Sequence, residues 1–132
     1  KWLAEHNYDI NNSSAWGNYS NYNTANNYTE GTAGYEKNAG SQQNTGSSEN
    51  WKANNIYDLA GNVEEWTQEA DNTSYRALRG GFYNGDGSFY PASDRDCSGP
   101  GSSVGNRFSS HFNNKVILDT RAWAPVWRII IK

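Results

Sequence analysis

The sequence has little cysteine, no excess of positive charge and no long hydrophobic run. A single cysteine, Cys97, cannot close an internal disulfide, so cysteine usage indicates no particular redox compartment. The 11 basic and 14 acidic residues give a net charge of −3, which argues against nucleic-acid binding. No apolar stretch reaches the length of a membrane span, and the first residues show no signal-peptide pattern. We therefore expect no membrane insertion in this segment.

Aromatic residues are abundant for so polar a chain. The 4 Phe, 6 Trp and 9 Tyr residues accompany a mean hydropathy of −0.97. Disordered chains are poor in aromatic residues, so these side chains predict a folded body covered by polar loops. The length of 132 residues and the mass of 14.8 kDa predict a single domain, residues 1–132.

The densest cluster of chemically distinctive residues is segment 54–66, which reads Asn-Asn-Ile-Tyr-Asp-Leu-Ala-Gly-Asn-Val-Glu-Glu-Trp. Apolar side chains are interleaved there with oxygen donors. The spacing of Asp58, Gly61, Val63 and Glu65 puts two carboxylates and two backbone carbonyls along one tight loop. Calcium and other hard cations require an oxygen cage of this kind.

The same stretch carries a resemblance to a known family. Residues 61–66 resemble the Gly-Asn-x-x-Glu-Trp signature of formylglycine-generating-enzyme-like domains (sulfatase-modifying factor), a branch of the C-type lectin fold. Residues 79–83, Arg-Gly-Gly-Phe-Tyr, resemble that family's Arg-Gly-Gly-Ser-aromatic element, and residues 127–131 resemble its closing strand less well. Glu64 departs from the pattern, which usually has an aromatic residue there. The best-matched part is roughly residues 43–95.

The resemblance implies an α+β domain with the C-type-lectin-like fold: a small antiparallel sheet, few helices and long ordered loops. It also implies that elements preceding residue 1 are missing, so we expect an N-terminally truncated domain. Side-chain oxygens of Asp58 and Glu65 and carbonyls of Gly61 and Val63 would hold a structural calcium. In the alternative interpretation, both carboxylates accept backbone N–H groups and close the loop, and no cofactor is required.

The family's chemistry is not expected in this chain. Formylglycine-generating enzymes oxidise a substrate cysteine with two cysteines that bind copper, and the corresponding positions here fall at about Gly85 and Tyr90. Neither residue can form a thiolate. A Cys97–His111 nucleophile pair is an alternative, but no flanking motif supports it. We therefore predict a non-catalytic relative rather than an enzyme.

The polarity pattern predicts few regular elements. Residues 1–6 fit the end of a helix, with Trp2 and Leu3 as its buried face. Residues 11–50 are typical either of a flexible linker or of an ordered loop fixed by aromatic side chains, and we favour order. The expected anchors are Trp16, Tyr19, Tyr22, Tyr28, Tyr35 and Trp51. Strands are predicted at residues 75–82, ending at a glycine pair, at 116–118, and at 123–131, where the last closes the sheet near the start of the domain.

The segment from residue 82 to about residue 114 has the composition of a binding surface. Tyr, Ser, Gly and Asn with occasional Arg and aromatic anchors are typical of antibody paratopes, although an ordinary hydrophilic loop is the alternative. Further binding positions are expected within residues 102–112. The residues expected to bind ligand are Tyr83, Asn84, Asp86, Ser88, Phe89, Tyr90, Asp94, Arg95, Asp96, Asn106, Arg107 and His111.

The position and composition of this segment are also similar to those of variable proteins diversified by diversity-generating retroelements. This resemblance implies a non-catalytic ligand-binding domain with a diversified surface, of the phage receptor-binding or bacterial surface adhesin type. Its partner would be a protein or glycan on a cell or phage surface, and its location a cell surface or virion. A formylglycine-generating-type oxidase relative and a calcium-dependent carbohydrate-binding lectin are the alternatives.

Overall fold

Short strands and two one-turn helices make up the regular structure of the described residues. The structure, a computed structural model, describes residues 2–99 together with two strands at 117–119 and 128–130. Few helices and small antiparallel sheets confirm the predicted α+β class. The elements are α1 (Trp2–Glu5), α2 (Tyr22–Ala25), β1 (Lys52–Ala53), β2 (Ile56–Tyr57), β3 (Glu65–Ala70), β4 (Arg76–Arg79), β5 (Asp96–Ser98), β6 (Ile117–Asp119) and β7 (Arg128–Ile130).

Strands β1 and β2 form a hairpin whose turn is encoded by two asparagines. Asn54 and Asn55 have φ values of 51° and 70°. Positive φ at both central residues is the signature of a type I′ turn, whose twist matches that of antiparallel strands. Asparagine tolerates this left-handed conformation better than most residues. The hairpin therefore forms from local sequence and leads the chain directly into the motif that follows it.

Strands β3, β4 and β5 form an antiparallel sheet in that order, with β4 in the centre. Leu78 of β4 is 2% exposed and faces Trp66 of β3. The turn between β3 and β4 is closed by Asn72, whose Oδ1 accepts hydrogen bonds from the N–H groups of Ser74 and Tyr75 at 2.8 and 3.1 Å. This side-chain-closed turn fixes the order of the strands that lead to the glycine pair.

Buried aromatic rings organise the long polar segment at residues 11–50. Trp16, Tyr19, Tyr22 and Trp51 are all 9% exposed or less. The rings of Tyr22 and Trp51 meet edge to face with centroids 6.0 Å apart, an arrangement that aromatic quadrupoles favour. These contacts confirm the prediction of an ordered loop fixed by aromatic side chains.

Two predicted anchors are less buried than the others, and the prediction that Trp2 lies in the core is wrong. Tyr28 and Tyr35 are half-buried. Trp2 is 40% exposed, with its ring 4.7 Å from that of His6, so it is not part of a buried helix face. A one-turn helix presents only a narrow side to the core, and Leu3 occupies that side by packing against the Trp16 cluster.

Strands β6 and β7 lie in the two apolar segments predicted near the C-terminus. Ile117 pairs with Ile130, and Asp119 pairs with Arg128. Closure of the sheet near the start of the domain, expected for the last strand, is not observed among the described strands, because β7 pairs with β6 in a two-stranded sheet. Strands that lie close in sequence pair at a low cost in loop-closure entropy, which favours this arrangement.

Candidate functional site

The centre of the resembling motif is a buried backbone junction. Asp58, Gly61 and Asn62 have positive φ values of 55°, 69° and 60°. Gly61 approaches the backbone of Asn18 so closely that a Cβ at residue 61 would overlap the Asn18 carbonyl. The Gly61 N–H donates a hydrogen bond to the carbonyl of Gly80 at 2.6 Å. Backbone geometry therefore explains the glycine of the motif, since no other residue fits this approach.

Asn62 connects three distant segments through both its side chain and its backbone. Its Nδ2 donates to the carbonyl of Gln43 at 2.9 Å, and its Oδ1 accepts from the Gln43 N–H at 3.0 Å and from Asn18 Nδ2 at 3.4 Å. Its N–H donates to the Asn18 carbonyl at 2.9 Å, and its carbonyl accepts from the Tyr83 N–H at 3.0 Å. A fully buried amide with such paired groups rigidifies the structure around it.

The two predicted carboxylate ligands of calcium lie in different surroundings. Asp58 is 3% exposed, and its Oδ2 accepts the Gly46 N–H at 3.3 Å, which is the contact that the metal-free interpretation predicts. Glu65 begins β3 and is half-buried, while Gly61 and Val63 are buried. In the part of the chain that the structure describes, no three His, Cys, Asp or Glu side chains are grouped to hold a metal. Calcium takes six to eight oxygens, so its binding here stays a prediction.

The predicted glycine pair, Gly80 and Gly81, follows β4 and rests on a buried tyrosine. Tyr19 is 0% exposed, and its hydroxyl donates a hydrogen bond to the Gly80 carbonyl at 3.0 Å. Burial raises the pKa of Tyr19 well above its usual value, so the hydroxyl stays a neutral donor. A Cβ at Gly81 would overlap the carbonyl of Tyr90 and lie 2.9 Å from the Tyr19 hydroxyl. The glycine pair thus allows the close backbone approach predicted for it.

Beyond the glycine pair, the chain is hydrogen-bonded to a segment near the N-terminus. We refer to residues 81–93 as the anchored loop and to residues 10–21 as the cradle. The N–H and the hydroxyl of Ser20 both donate to the carbonyl of Gly85, at 3.0 and 2.9 Å. The Ser13 N–H donates to the carbonyl of Gly87 at 2.8 Å. These bonds hold the middle of the loop through its backbone.

The far end of the anchored loop is held in the same way. The N–H of Ala92 donates to the hydroxyl of Ser13 at 2.9 Å, and the N–H of Ser93 donates to the carbonyl of Ile10 at 3.0 Å. The Ser13 residue is 0% exposed, so its hydroxyl acts from inside the protein. The loop backbone is therefore fixed on both sides of residues 88–90.

Two aromatic side chains project from the anchored loop. Phe89 is 77% exposed and Tyr90 is 41% exposed. One side of the Tyr90 ring is covered by Phe82, with ring centroids 4.8 Å apart, and by Gly85, where a Cβ would lie 2.7 Å from the ring. We refer to Phe82, Phe89 and Tyr90 as the aromatic surface. The ring of Tyr90 is supported by Phe82, and the rings of Phe89 and Tyr90 are both open to solvent.

The other predicted binding residues of the loop differ in exposure and in the hydrogen bonds that they make within the protein. Asn84 is exposed and Tyr83 is half-buried. Asp86 Oδ1 accepts hydrogen bonds from the N–H and the hydroxyl of Ser88 at 2.7 and 2.6 Å. These bonds lower the pKa of Asp86, which is therefore ionised at neutral pH. Asp86 and Ser88 thus shape the turn as well as facing the surface.

Arg95, also predicted to bind ligand, is engaged by carboxylates of the sheet. Its guanidinium donates to Glu69 at 2.7 Å and to Asp71 at 3.2 Å. Arg79 shares the Glu69 carboxylate at 2.9 Å. Hydrogen bonds from Arg95 and then Arg79 lower the pKa of Glu69, and those to Glu69 and Asp71 raise the pKa of Arg95. The positive charge of Arg95 is therefore already balanced within the protein.

The two aspartates beside Arg95 do not pair with it. Asp94 donates its N–H to the carbonyl of Pro91 at 2.8 Å, and its own carbonyl accepts from Arg79 at 3.3 Å. Asp96 Oδ1 accepts the N–H of Cys97 at 2.7 Å. Cys97 is half-buried, and desolvation raises the pKa of its thiol. A raised thiol pKa disfavours the nucleophilic thiolate.

The remaining predicted binding residues, Asn106, Arg107 and His111, lie outside the described residues, as does the whole of segment 102–112. The Cys97–His111 pair therefore stays a prediction. The positions matched to the family's cysteines, Gly85 and Tyr90, lie in the anchored loop. There the glycine packs against the tyrosine ring rather than beside a second reactive group.

Sequence reasoning missed the polar side chains that hold the anchored loop. Ser13 and Asn18 are both 0% exposed, and Asn21 Oδ1 accepts the Gly87 N–H at 3.2 Å. Hydrophobic patterning predicts buried rings in this segment, but it cannot identify buried serines and asparagines. The position of Asn18 and Asn21 between Trp16 and Tyr22 is the only signal in the sequence that these two residues lie next to the core, and Ser13 has no such signal.

Within residues 2–99 and the two later strands, no helix combines the length and apolar character needed to cross a bilayer. Comparisons of the chain with protein-family models, with curated proteins and with solved structures give no match in any of the three.

Proposed function

We propose that this chain is a non-catalytic ligand-binding domain that presents side chains of the anchored loop to a protein or glycan on a cell or phage surface. The specific form we propose is a C-type-lectin-like scaffold with a diversified surface, of the phage receptor-binding or bacterial surface adhesin type. The observation that carries the proposal is the 77% exposure of Phe89 on a loop whose backbone is hydrogen-bonded on both sides.

The energetics of association favour such an arrangement. A single exposed apolar side chain is ordinary, but Phe89 is followed in sequence by a second exposed ring, that of Tyr90, which Phe82 supports. Large rings that are already held in place lose little conformational freedom on binding, so more of their burial contributes to affinity. Aromatic residues of this kind frequently dominate the binding energy of protein interfaces.

The anchoring bonds also support the idea of replaceable side chains. The contacts at Gly85, Gly87 and Ser93 use backbone atoms of the anchored loop. Substitution at Asn84 or Phe89 leaves each of those bonds in place. A loop of this design can change its surface chemistry while its position on the scaffold stays fixed.

The proposal is tested by removing the two projecting rings. We expect the Phe89→Ala, Tyr90→Ala double variant to lose at least about tenfold in binding of the labelled domain to a panel of glycans, bacterial cells and phage particles. Its Tm should fall by only a few degrees, because one ring contact is lost. Tyr75→Ala is the matched control, since Tyr75 is 45% exposed in the turn between β3 and β4.

Two results would contradict the proposal. Binding that is equally strong in the double variant would show that the aromatic surface takes no part. Cooperative unfolding at much lower temperature in Phe89→Ala alone would place that ring in the core.

Diversification has a separate test in the encoding locus. We expect a near-identical template repeat beside a reverse-transcriptase gene, with differences only at adenines of the template. A locus that lacks both would contradict diversification and leave the ligand-binding proposal to the binding experiment.

A further inference from the structure

We infer that the aromatic surface binds a positively charged segment of a partner protein, with an arginine or lysine side chain placed against the rings of Phe89 and Tyr90. This inference rests on the proposed function and specifies the chemistry of its ligand. It follows from the exposure of the two rings, from the Asp86 carboxylate in the same hydrogen-bonded turn, and from the contacts that fix that carboxylate in place.

The sequence around the aromatic surface is acidic. Residues 80–99 contain three aspartates and one arginine, a net charge of −2. Lysine is absent from the chain between Lys52 and Lys115. The single arginine of this segment, Arg95, is already paired with Glu69 of β3 and with Asp71 in the turn that follows it. Arg79, which directly precedes this segment, shares the Glu69 carboxylate at 2.9 Å. Among the described residues, the two arginines next to the loop are therefore both paired with carboxylates.

Asp86 places one negative charge at the base of the turn that carries both rings. Its carbonyl accepts the N–H groups of Phe89 and Tyr90 at 3.0 and 2.9 Å. Its carboxylate is held by Ser88, and these bonds keep it ionised. Because the carboxylate and the rings belong to one hydrogen-bonded turn, a ligand that covers the rings must come close to this charge.

Asp94 contributes a second negative charge near the other end of the loop. Its N–H donates to the carbonyl of Pro91 at 2.8 Å, which places the residue directly after the turn that carries the rings. Acidic residues therefore lie on both sides of the exposed rings along the chain, at Asp86 and Asp94.

Exposed rings beside carboxylates favour a cation over other ligands. A guanidinium or ammonium group is attracted both to the negative face of an aromatic ring and to a nearby carboxylate. Arginine is favoured over lysine because its planar group stacks on a ring while it donates hydrogen bonds at its edge. A neutral glycan gains no long-range attraction from the net negative charge, and an acidic glycan or a nucleic acid is repelled.

The test uses a random-sequence peptide library selected on the full chain. We expect peptides that bind the wild type but not Phe89→Ala to be enriched in arginine and lysine relative to the library. In the tightest such peptide, replacement of its arginines by citrulline, a neutral analogue of similar shape, should weaken binding by about tenfold or more. Affinity should also fall as salt concentration rises.

Charge variants of the domain give the complementary measurement. Asp86→Asn and Asp94→Asn should each weaken binding of that peptide by about threefold to tenfold, since each removes one charge and keeps a side chain of the same shape. Glu30→Gln is the matched control, because it removes the same charge from an exposed position after α2. Its affinity for the peptide should equal that of the wild type.

The failures of the inference and of the proposed function are distinguishable. The inference would be overturned if the Phe89-dependent peptides were not enriched in arginine and lysine, or if replacement of their arginines by citrulline left the affinity unchanged. Ligand binding by the aromatic surface would then still stand. Phe89-dependent binding of glycans alone would have the same consequence. Absence of any Phe89-dependent binding, to peptides, glycans, cells or phage particles, would overturn both.

Discussion

The cradle, residues 10–21, and the tip of the anchored loop, residues 84–90, have similar compositions but use their side chains in opposite ways. Both are rich in Asn, Ser, Gly and aromatic residues. In the cradle, side chains such as those of Ser13 and Asn18 point inward and bond the protein's own backbone. In the loop tip, backbone groups make the anchoring bonds and the ring of Phe89 faces solvent. Composition alone therefore does not distinguish a structural segment from a surface available to a ligand.

The largest expected effect comes from the junction that joins the two regions. Gly61→Ala should reduce the free energy of unfolding by about 4 kcal/mol or prevent folding, because its Cβ would overlap the Asn18 backbone. Gly31→Ala is the control: it also has positive φ, at 90°, but no atom lies within 4 Å of the added Cβ, so about 1 kcal/mol is expected. Urea unfolding measures both, and equal losses would contradict a steric role for Gly61.

A smaller but still large effect is expected at Asn62. Asn62→Ala leaves the N–H and carbonyl of Gln43 without their buried side-chain partner, at a cost of about 3 kcal/mol. Asn84→Ala, on the exposed loop tip, should change the free energy of unfolding by less than about 0.5 kcal/mol. Similar losses in the two variants, measured by chemical denaturation, would erase the distinction between the regions.

Alkaline pH should destabilise the aromatic core next to the cradle, where Tyr22 is buried. Burial raises the pKa of Tyr22 to about 12 from an ordinary value of 10.0. An unfolded chain then releases this proton at lower pH than the folded one does. The contribution of Tyr22 to stability is therefore fully present below pH 10 and is lost as pH rises towards 12. Tm measured across this range should fall less steeply in Tyr22→Phe than in the wild type. An identical slope in the two proteins would contradict the assignment, and Tyr75→Phe is the surface control.

The smallest effect is expected from removal of calcium. The contact of Asp58 with the Gly46 N–H favours the anchoring role, so chelation with EGTA should change Tm by less than about 1 °C relative to a calcium-containing buffer. A rise of several degrees with calcium, abolished by Asp58→Asn, would establish the metal instead. Ligand binding that disappears in EGTA would favour the calcium-dependent lectin.

The sequence predicts those features that depend on local geometry or on apolar burial. Examples are β4, which lies within the strand predicted at residues 75–82 and ends at Arg79 just before the glycine pair, and the burial of Trp16 and Tyr19 within a polar segment. The α+β class follows from the same short apolar runs. The C-type-lectin-like fold and the diversified surface remain proposals, since no comparison with known proteins addresses them.

Features that depend on residues far apart along the chain could not be predicted from the sequence. Arg95 is a natural candidate for a ligand, yet its guanidinium is bonded to Glu69 and Asp71, 26 and 24 residues away. Ser13 is a small polar residue without any local signature, yet it holds the backbone of the anchored loop. In both cases the side chain alone is uninformative, because its role is set by a group that the fold brings to it from far along the chain.

The long sequence separation of the loop's anchors has a consequence for biosynthesis. Tyr19 bonds Gly80, and Ser13 bonds Ala92, across 61 and 79 residues. While the ribosome is still producing the middle of the chain, the early segment has no partner for these hydroxyls, whereas the asparagine hairpin can close at once. Non-local closures of this kind are slow, so the anchored loop reaches its final position only after residue 92 has been synthesised and most of the polypeptide has been made.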